Sequence, residues 1–146
     1  MKTMAMLAAA TCLSVPVLPQ GEPGAALEAF LAAYRVADPG AAAMLFTPGG
    51  TLFGATEAEA FRGADAIRAH FDRAWPRGGH RRIACDGVTT QQPSPGFAVI
   101  SGTCQTESVA PNGRTTSGTL RLTMTLAHQE GWRILAMHLS VPPVRR

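Results

Sequence analysis

The stretch Gly131-Trp132-Arg133-Ile134-Leu135-Ala136-Met137-His138-Leu139-Ser140 decides how this chain folds. It follows the turn signal Gln129-Glu130-Gly131 and reads as the closing strand of a β-hairpin. Alternate residues of a strand share a face. That puts Trp132, Ile134, Ala136, His138 and Ser140 on one side, with Arg133, Leu135, Met137, Leu139 and Val141 on the other. A half-polar, half-aromatic face ending in His-x-Ser reads as the wall of a pocket more than as plain core.

Working outward, a two-residue Glu130-Gly131 turn sets Arg121 opposite Ser140, Thr123 opposite His138 and Thr125 opposite Ala136. The pocket face is then Arg121, Thr123, Thr125, Ile134, His138 and Ser140. The other face, Leu120, Leu122, Met124, Leu126, Leu135, Met137 and Leu139, is almost wholly apolar and must be covered. The preferred arrangement turns the polar face inward beneath the helices; the reverse arrangement is open. Further upstream, period-two runs at 80–92, 97–109 and 114–127 are separated by Pro-Ser-Pro-Gly and Pro-Asn-Gly. Asn112-Gly113 is the strongest hairpin signal of the chain. With 132–141 these runs make a four-stranded antiparallel meander.

The N-terminal half has the period of helices. Leu27, Phe30, Leu31 and Tyr34 form one stripe over Ala25 to Val36. Asp38-Pro39 opens a short helix through about Phe46, which Thr47-Pro48-Gly49-Gly50 stops. Thr51 to Gly54 and Ala60 to Arg62 read as short strands around a polar loop. A third helix, Ala64 to Trp75, carries Ile67, Phe71, Ala74 and Trp75 on one side. The predicted class is α+β: a cone-shaped, curved antiparallel sheet of four main strands plus short N-terminal strands, with three helices on one face.

Hydrophobic residues at 46% and charged residues at 16% exclude a disordered chain. A net charge of +3 and 6% aromatic residues lack the footprint of a nucleic-acid surface. Lys2 followed by the apolar run Met4 to Val15 reads as an export signal, too short for a membrane span. Residues 1–24 are therefore taken as signal peptide and linker, cut somewhere from Ser14 to Gly24, and 25–146 as one domain of a periplasmic or secreted protein. In an oxidising compartment Cys85 and Cys104 form an even pair. The turn Pro93-Ser94-Pro95-Gly96 sets Gln92 opposite Phe97, and the same count brings Cys85 opposite Cys104, within disulfide reach. Two buried free thiols are the alternative. No His/Cys spacing points to zinc, and no Gly-rich phosphate loop or other cofactor motif is present.

Several residues carry possible chemistry. Histidine is the side chain suited to proton transfer near neutral pH, which makes His138 the candidate acid or base; a hydrogen-bonded core histidine is the plain alternative. Arg121 has the forked geometry for a carboxylate or enolate, or forms an ion pair with Glu107 or Asp38. Tyr34, the only tyrosine, can donate its hydroxyl or simply pack. Thr123 and Ser140 supply polar anchors, while Phe30, Trp132 and Ile134 supply apolar wall, and both tryptophans also read as core. Glu57, Glu59 and Asp65 flank the polar loop at a possible pocket mouth.

Ala25-Ala26-Leu27-Glu28-Ala29-Phe30, Leu45-Phe46-Thr47-Pro48-Gly49-Gly50, Phe61-Arg62-Gly63-Ala64-Asp65-Ala66-Ile67-Arg68, Arg121-Leu122-Thr123 and Gly131-Trp132-Arg133-Ile134 occur in a telling order. From Ala25 to Pro143 the chain resembles the nuclear transport factor 2-like superfamily, and within it the SnoaL-like group of small proteins. The resemblance implies a conical pocket under the first helix and a homodimer through one sheet face. The fold hosts isomerases, cyclases, dehydratases and binding modules alike. Such chains often carry His two residues before the last one; here Ala136 stands there, so a His-x-His site is missing. The expectation is an exported small-molecule-binding domain for a hydrophobic or carbonyl-containing ligand. Alternatives are an acid/base enzyme using His138 and a homodimeric assembly module.

Overall fold

The computed structural model describes residues 18–143. In chain order the elements are α1 (Gly24–Arg35), α2 (Pro39–Met44), β1 (Phe46–Phe53), β2 (Ala60–Arg62), α3 (Ala64–Ala74), β3 (His80–Ser94), β4 (Phe97–Val109), β5 (Thr115–His128) and β6 (Trp132–Ser140). The strands form one six-stranded sheet in the order β2-β1-β6-β5-β4-β3. All neighbours are antiparallel except β1 and β6, which run parallel. The α+β architecture with helices over one sheet face matches expectation. The expected export signal lies outside the described residues; among those, no helix is long and apolar enough to cross a membrane.

The helix stripes and one sheet face close the core. Leu27, Phe30, Leu31, Ile67 and Phe71 are buried with Ile100, Leu122, Met124, Leu126, Ile134 and Met137. Asp38 caps α2 as its position predicts, accepting from the Ala41 amide at 2.9 Å. That helix ends at Met44 rather than Phe46. The Ile134 amide donates to the Leu45 carbonyl at 2.7 Å, drawing the chain into β1 at Phe46. Thr47-Pro48-Gly49-Gly50 is thus the irregular start of a strand, where the pairing register shifts.

Register carries the main surprises. Arg121 faces Ser140, Thr123 faces His138 and Thr125 faces Ala136, as counted from the turn. Between Thr125 and Leu126 the register slips, so that Leu126 faces Ile134 and Leu135 is the extra residue. A bulge of one residue reverses the face of everything beyond it. Trp132 and Ile134 therefore share the buried side with Met137 and Leu139, not with His138. The inward face is the leucine face, which overturns the preferred assignment; Arg121, Thr123 and His138 are exposed.

Cys85 does face Cys104, and the two form a disulfide. The turn that led to this pairing is tighter than counted: Ser94, not Gln92, faces Phe97. Irregularities between Gln91 and Ser94 and between Asp86 and Thr89 restore the register before the cysteines. The second contains Gly87, whose φ of 59° suits glycine.

Residues ahead of α1 are stitched to the β5–β6 turn. The Trp132 amide donates to the Pro19 carbonyl and its indole to the Gly21 carbonyl, both at 2.8 Å. The Gln20 side chain donates to the Glu130 carbonyl at 2.7 Å. Gly131 sits beneath this strap at φ 135°, and a β-carbon there would meet the Gln20 side chain, Leu18 Cβ and the Pro19 carbonyl oxygen at 2.7–3.0 Å. Gly131→Ala should accordingly lower unfolding free energy by about 1–2 kcal/mol, read from urea denaturation midpoints. Wild-type stability would refute this close packing.

Candidate functional site

The cone between helices and sheet narrows to a cavity of about 40 Å³ lined by Phe30, Tyr34, Trp75, Ile83, Cys104 and the leucines of the inward face. It adjoins a wider mouth of about 200 Å³ that shares Tyr34, Trp75, Leu120 and Leu139 and adds Glu57, His70 and Arg81. A larger depression of about 770 Å³ lies beside the cone on β3, β4 and β5, sharing Arg81 with the mouth and Ile83 with the narrow cavity. It is an open trough in which Arg82 already pairs with Glu107 at 3.6 Å. The cone is smaller but runs from a mouth with titratable groups down to a more enclosed apolar end, the usual character of a ligand site.

His70 is the residue that organises the mouth. Helix α3 places it one turn after Ile67 on the buried stripe, and its side chain is only 7% exposed. Phe61 of β2 lies 4.4 Å away, ring to ring, and Phe71 5.3 Å. Its Nδ1 faces Glu57 Oε1 at 3.5 Å. Gly54 makes this meeting possible: a β-carbon there would overlap the Glu57 carboxylate and come within 3.1 Å of His70 Cε1. Burial pushes the His70 pKa below its ordinary value, with the Arg73 charge adding to the shift and Glu57 opposing it. At neutral pH the imidazole is therefore uncharged and able to accept a proton.

The same shift couples acid to stability. The unfolded chain protonates this histidine near pH 6.5, whereas the folded one resists until a lower pH. Stability tied to His70 is thus complete above about pH 6.5 and is lost as pH falls below it. The urea midpoint should drop between pH 7.5 and 5.5, and His70→Gln should flatten that part of the curve. An unchanged slope in the variant would mean that other groups carry the acid sensitivity.

Tyr34 and Phe30 lie in the cone, as the first-helix stripe predicts. Tyr34 packs edge-on to Trp75 at 5.4 Å, and Arg81 sits over its ring. The remaining candidates are elsewhere. His138 is on the outward face, edge-on to Phe53 at 5.9 Å. Arg121 donates from Nε to Ser140 Oγ at 3.1 Å on that same outward side, next to Thr123, and pairs with neither Glu107 nor Asp38. Trp132 and Ile134 are core residues outside the cone lining. Among the described residues no three His, Cys, Asp or Glu side chains gather as a metal site would require. Sequence reading overlooked His70, although Ile67, His70, Phe71 and Ala74 follow the i, i+3, i+4, i+7 pattern that exposes it.

A model of the SnoaL-like domain matches residues 24–144. The chain belongs to the SnoaL-like family. Solved structures of the same fold include a candidate calcium/calmodulin-dependent protein kinase II association domain from Xanthomonas campestris. It is 22% identical, with a TM-score of 0.75 over 88% of this chain and 94% of that one. A candidate dehydratase of the nuclear transport factor 2-like family from Streptomyces avermitilis is 15% identical, with a TM-score of 0.74 over 83% and 94%. A ketosteroid isomerase-like protein from Erwinia carotovora atroseptica is 20% identical, with a TM-score of 0.68 over 82% and 93%. At such identities the likeness establishes the fold alone. No curated protein matches the sequence significantly. For this SnoaL-like domain, the residues of the cone must therefore speak for themselves.

Proposed function

We propose that this SnoaL-like protein binds a small, largely apolar carbonyl compound in the cone and moves a proton on it through His70. The observation that carries this reading is the buried, uncharged His70 oriented by Glu57 at the mouth of an apolar cavity. A histidine held by a carboxylate on Nδ1 is left with Nε2 as its basic nitrogen. Tyr34 in the same mouth is the hydroxyl donor available to a ligand oxygen. His138, outside the cone, has no part in this chemistry.

Export to the periplasm or beyond is part of the proposal, supported by the apolar leader in the sequence and by the Cys85–Cys104 bond. A homodimer is also proposed, through the outward sheet face where half-exposed Phe53 packs on His138. Light scattering of the purified protein reads that state directly.

The test of the central reading is hydrogen–deuterium exchange next to the carbonyl of a panel of small cyclic ketones and oxo acids, followed by proton NMR. Exchange accelerated above the protein-free rate, and lost in His70→Gln, is the expected result. Rates indistinguishable from buffer across the panel would overturn it.

A further inference from the structure

Arg81 is a charged residue of the cone that proton transfer through His70 leaves without a task. It lines the same mouth as His70 and Tyr34, with its guanidinium carbon 5.4 Å from the centre of the Tyr34 ring. Its Nε is buried and has no hydrogen-bond partner among the described residues. Nor is it within ion-pair distance of any carboxylate among them, whereas neighbouring Arg82 has Glu107 and Arg77 has Asp72. With Nε closed off, the terminal guanidinium nitrogens are the donors left for a ligand in the mouth.

The chemistry of that ligand follows from charge and size. A single guanidinium, with no Gly-rich loop beside it, suits a singly charged carboxylate better than a phosphate, and its forked donors match the two oxygens. The space is about 200 Å³ at the mouth and about 40 Å³ beneath. A dry cavity of about 150 Å³ takes a benzene-sized molecule. One ring with a short polar arm therefore fits. Trp75, Leu120 and Leu139 give that ring an apolar surface.

We infer that the substrate is a one-ring carboxylic acid with an enolisable carbonyl next to the acid group, its carboxylate held by Arg81. This rests on the proton-transfer reading of His70. In the step, the C–H bond beside the carbonyl breaks and its proton passes to neutral His70. The bonding pair becomes the C=C bond of the enolate, and the carbonyl π pair moves onto oxygen, where Tyr34 donates a hydrogen bond. Return of the proton from His70 re-forms a C–H bond, so the step balances without a co-reactant.

Phenylpyruvate and its uncharged methyl ester are the probes, with binding followed by ligand-detected NMR and exchange at C3 followed in deuterated buffer. The wild-type protein should bind the acid at least about tenfold more tightly than the ester. Arg81→Gln should erase that preference without changing the melting temperature, and Arg81→Lys should retain part of it. Equal binding of acid and ester, with exchange still dependent on His70, overturns this inference and leaves the proton-transfer reading standing. Acid preference through Arg81 without exchange above the protein-free rate does the reverse. Failure of both probes to bind removes the proposed substrate class.

Discussion

His70→Gln should slow carbon–hydrogen exchange in a bound carbonyl compound by about 10²–10⁴-fold, the usual contribution of a positioned acid or base. His138→Gln should leave the rate unchanged, because His138 lies on the outward face beside Phe53. The pair of variants separates the two histidines cleanly, since both keep the side-chain volume nearly constant. The acid limb of the wild-type rate profile should lie below pH 6.5, where burial has moved His70. Glu57 opposes that shift, so Glu57→Gln should move the limb to still lower pH while slowing the plateau through loss of orientation. A rate that follows His138 and ignores His70 would return the site to the outward face.

Loss of the Cys85–Cys104 bond should cost about 3 kcal/mol and lower the melting temperature by about 10 °C. The bond closes a segment with a sequence separation of 19, for which chain-entropy loss gives that size. It ties the edge strand β3 to β4 directly under the cone, where Cys104 lines the narrow cavity. The Cys85→Ala/Cys104→Ala variant and the wild type held in reductant should melt together. Material from a reducing host should match them, and exported material should show the higher value. Identical melting of oxidised and reduced protein would remove the stabilising role and weaken the argument for an oxidising compartment. Because β3 also carries Arg81, the variant should bind acidic ligands more weakly as that edge loosens.

Much of the fold was legible because its signals are local. The stripe of Leu27, Phe30, Leu31 and Tyr34, the Asp38-Pro39 cap and the Asn112-Gly113 turn each depend on neighbours a few residues away. The cysteine pairing was also legible, although by a count from the wrong turn residue that two irregularities later compensated. The candidate site was legible only in part. Phe30 and Tyr34 stand out on the helix stripe, but His70 goes unnoticed while His138 stands on a strand face that looks like a pocket wall.

By itself, the sequence determined the elements, their order and the family, for these follow from period, capping and turn chemistry. Tertiary structure alone decided which sheet face turns inward. A single extra residue at Leu135 exchanges the faces of Trp132 and His138, and no local preference announces it. It also decided the meeting of His70 with Glu57, which lie on α3 and the loop before β2 and depend on Gly54 for room. The position of Arg81 over Tyr34 has the same origin. Burial is a property of the packed helix layer and sheet together, and burial is what leaves His70 neutral.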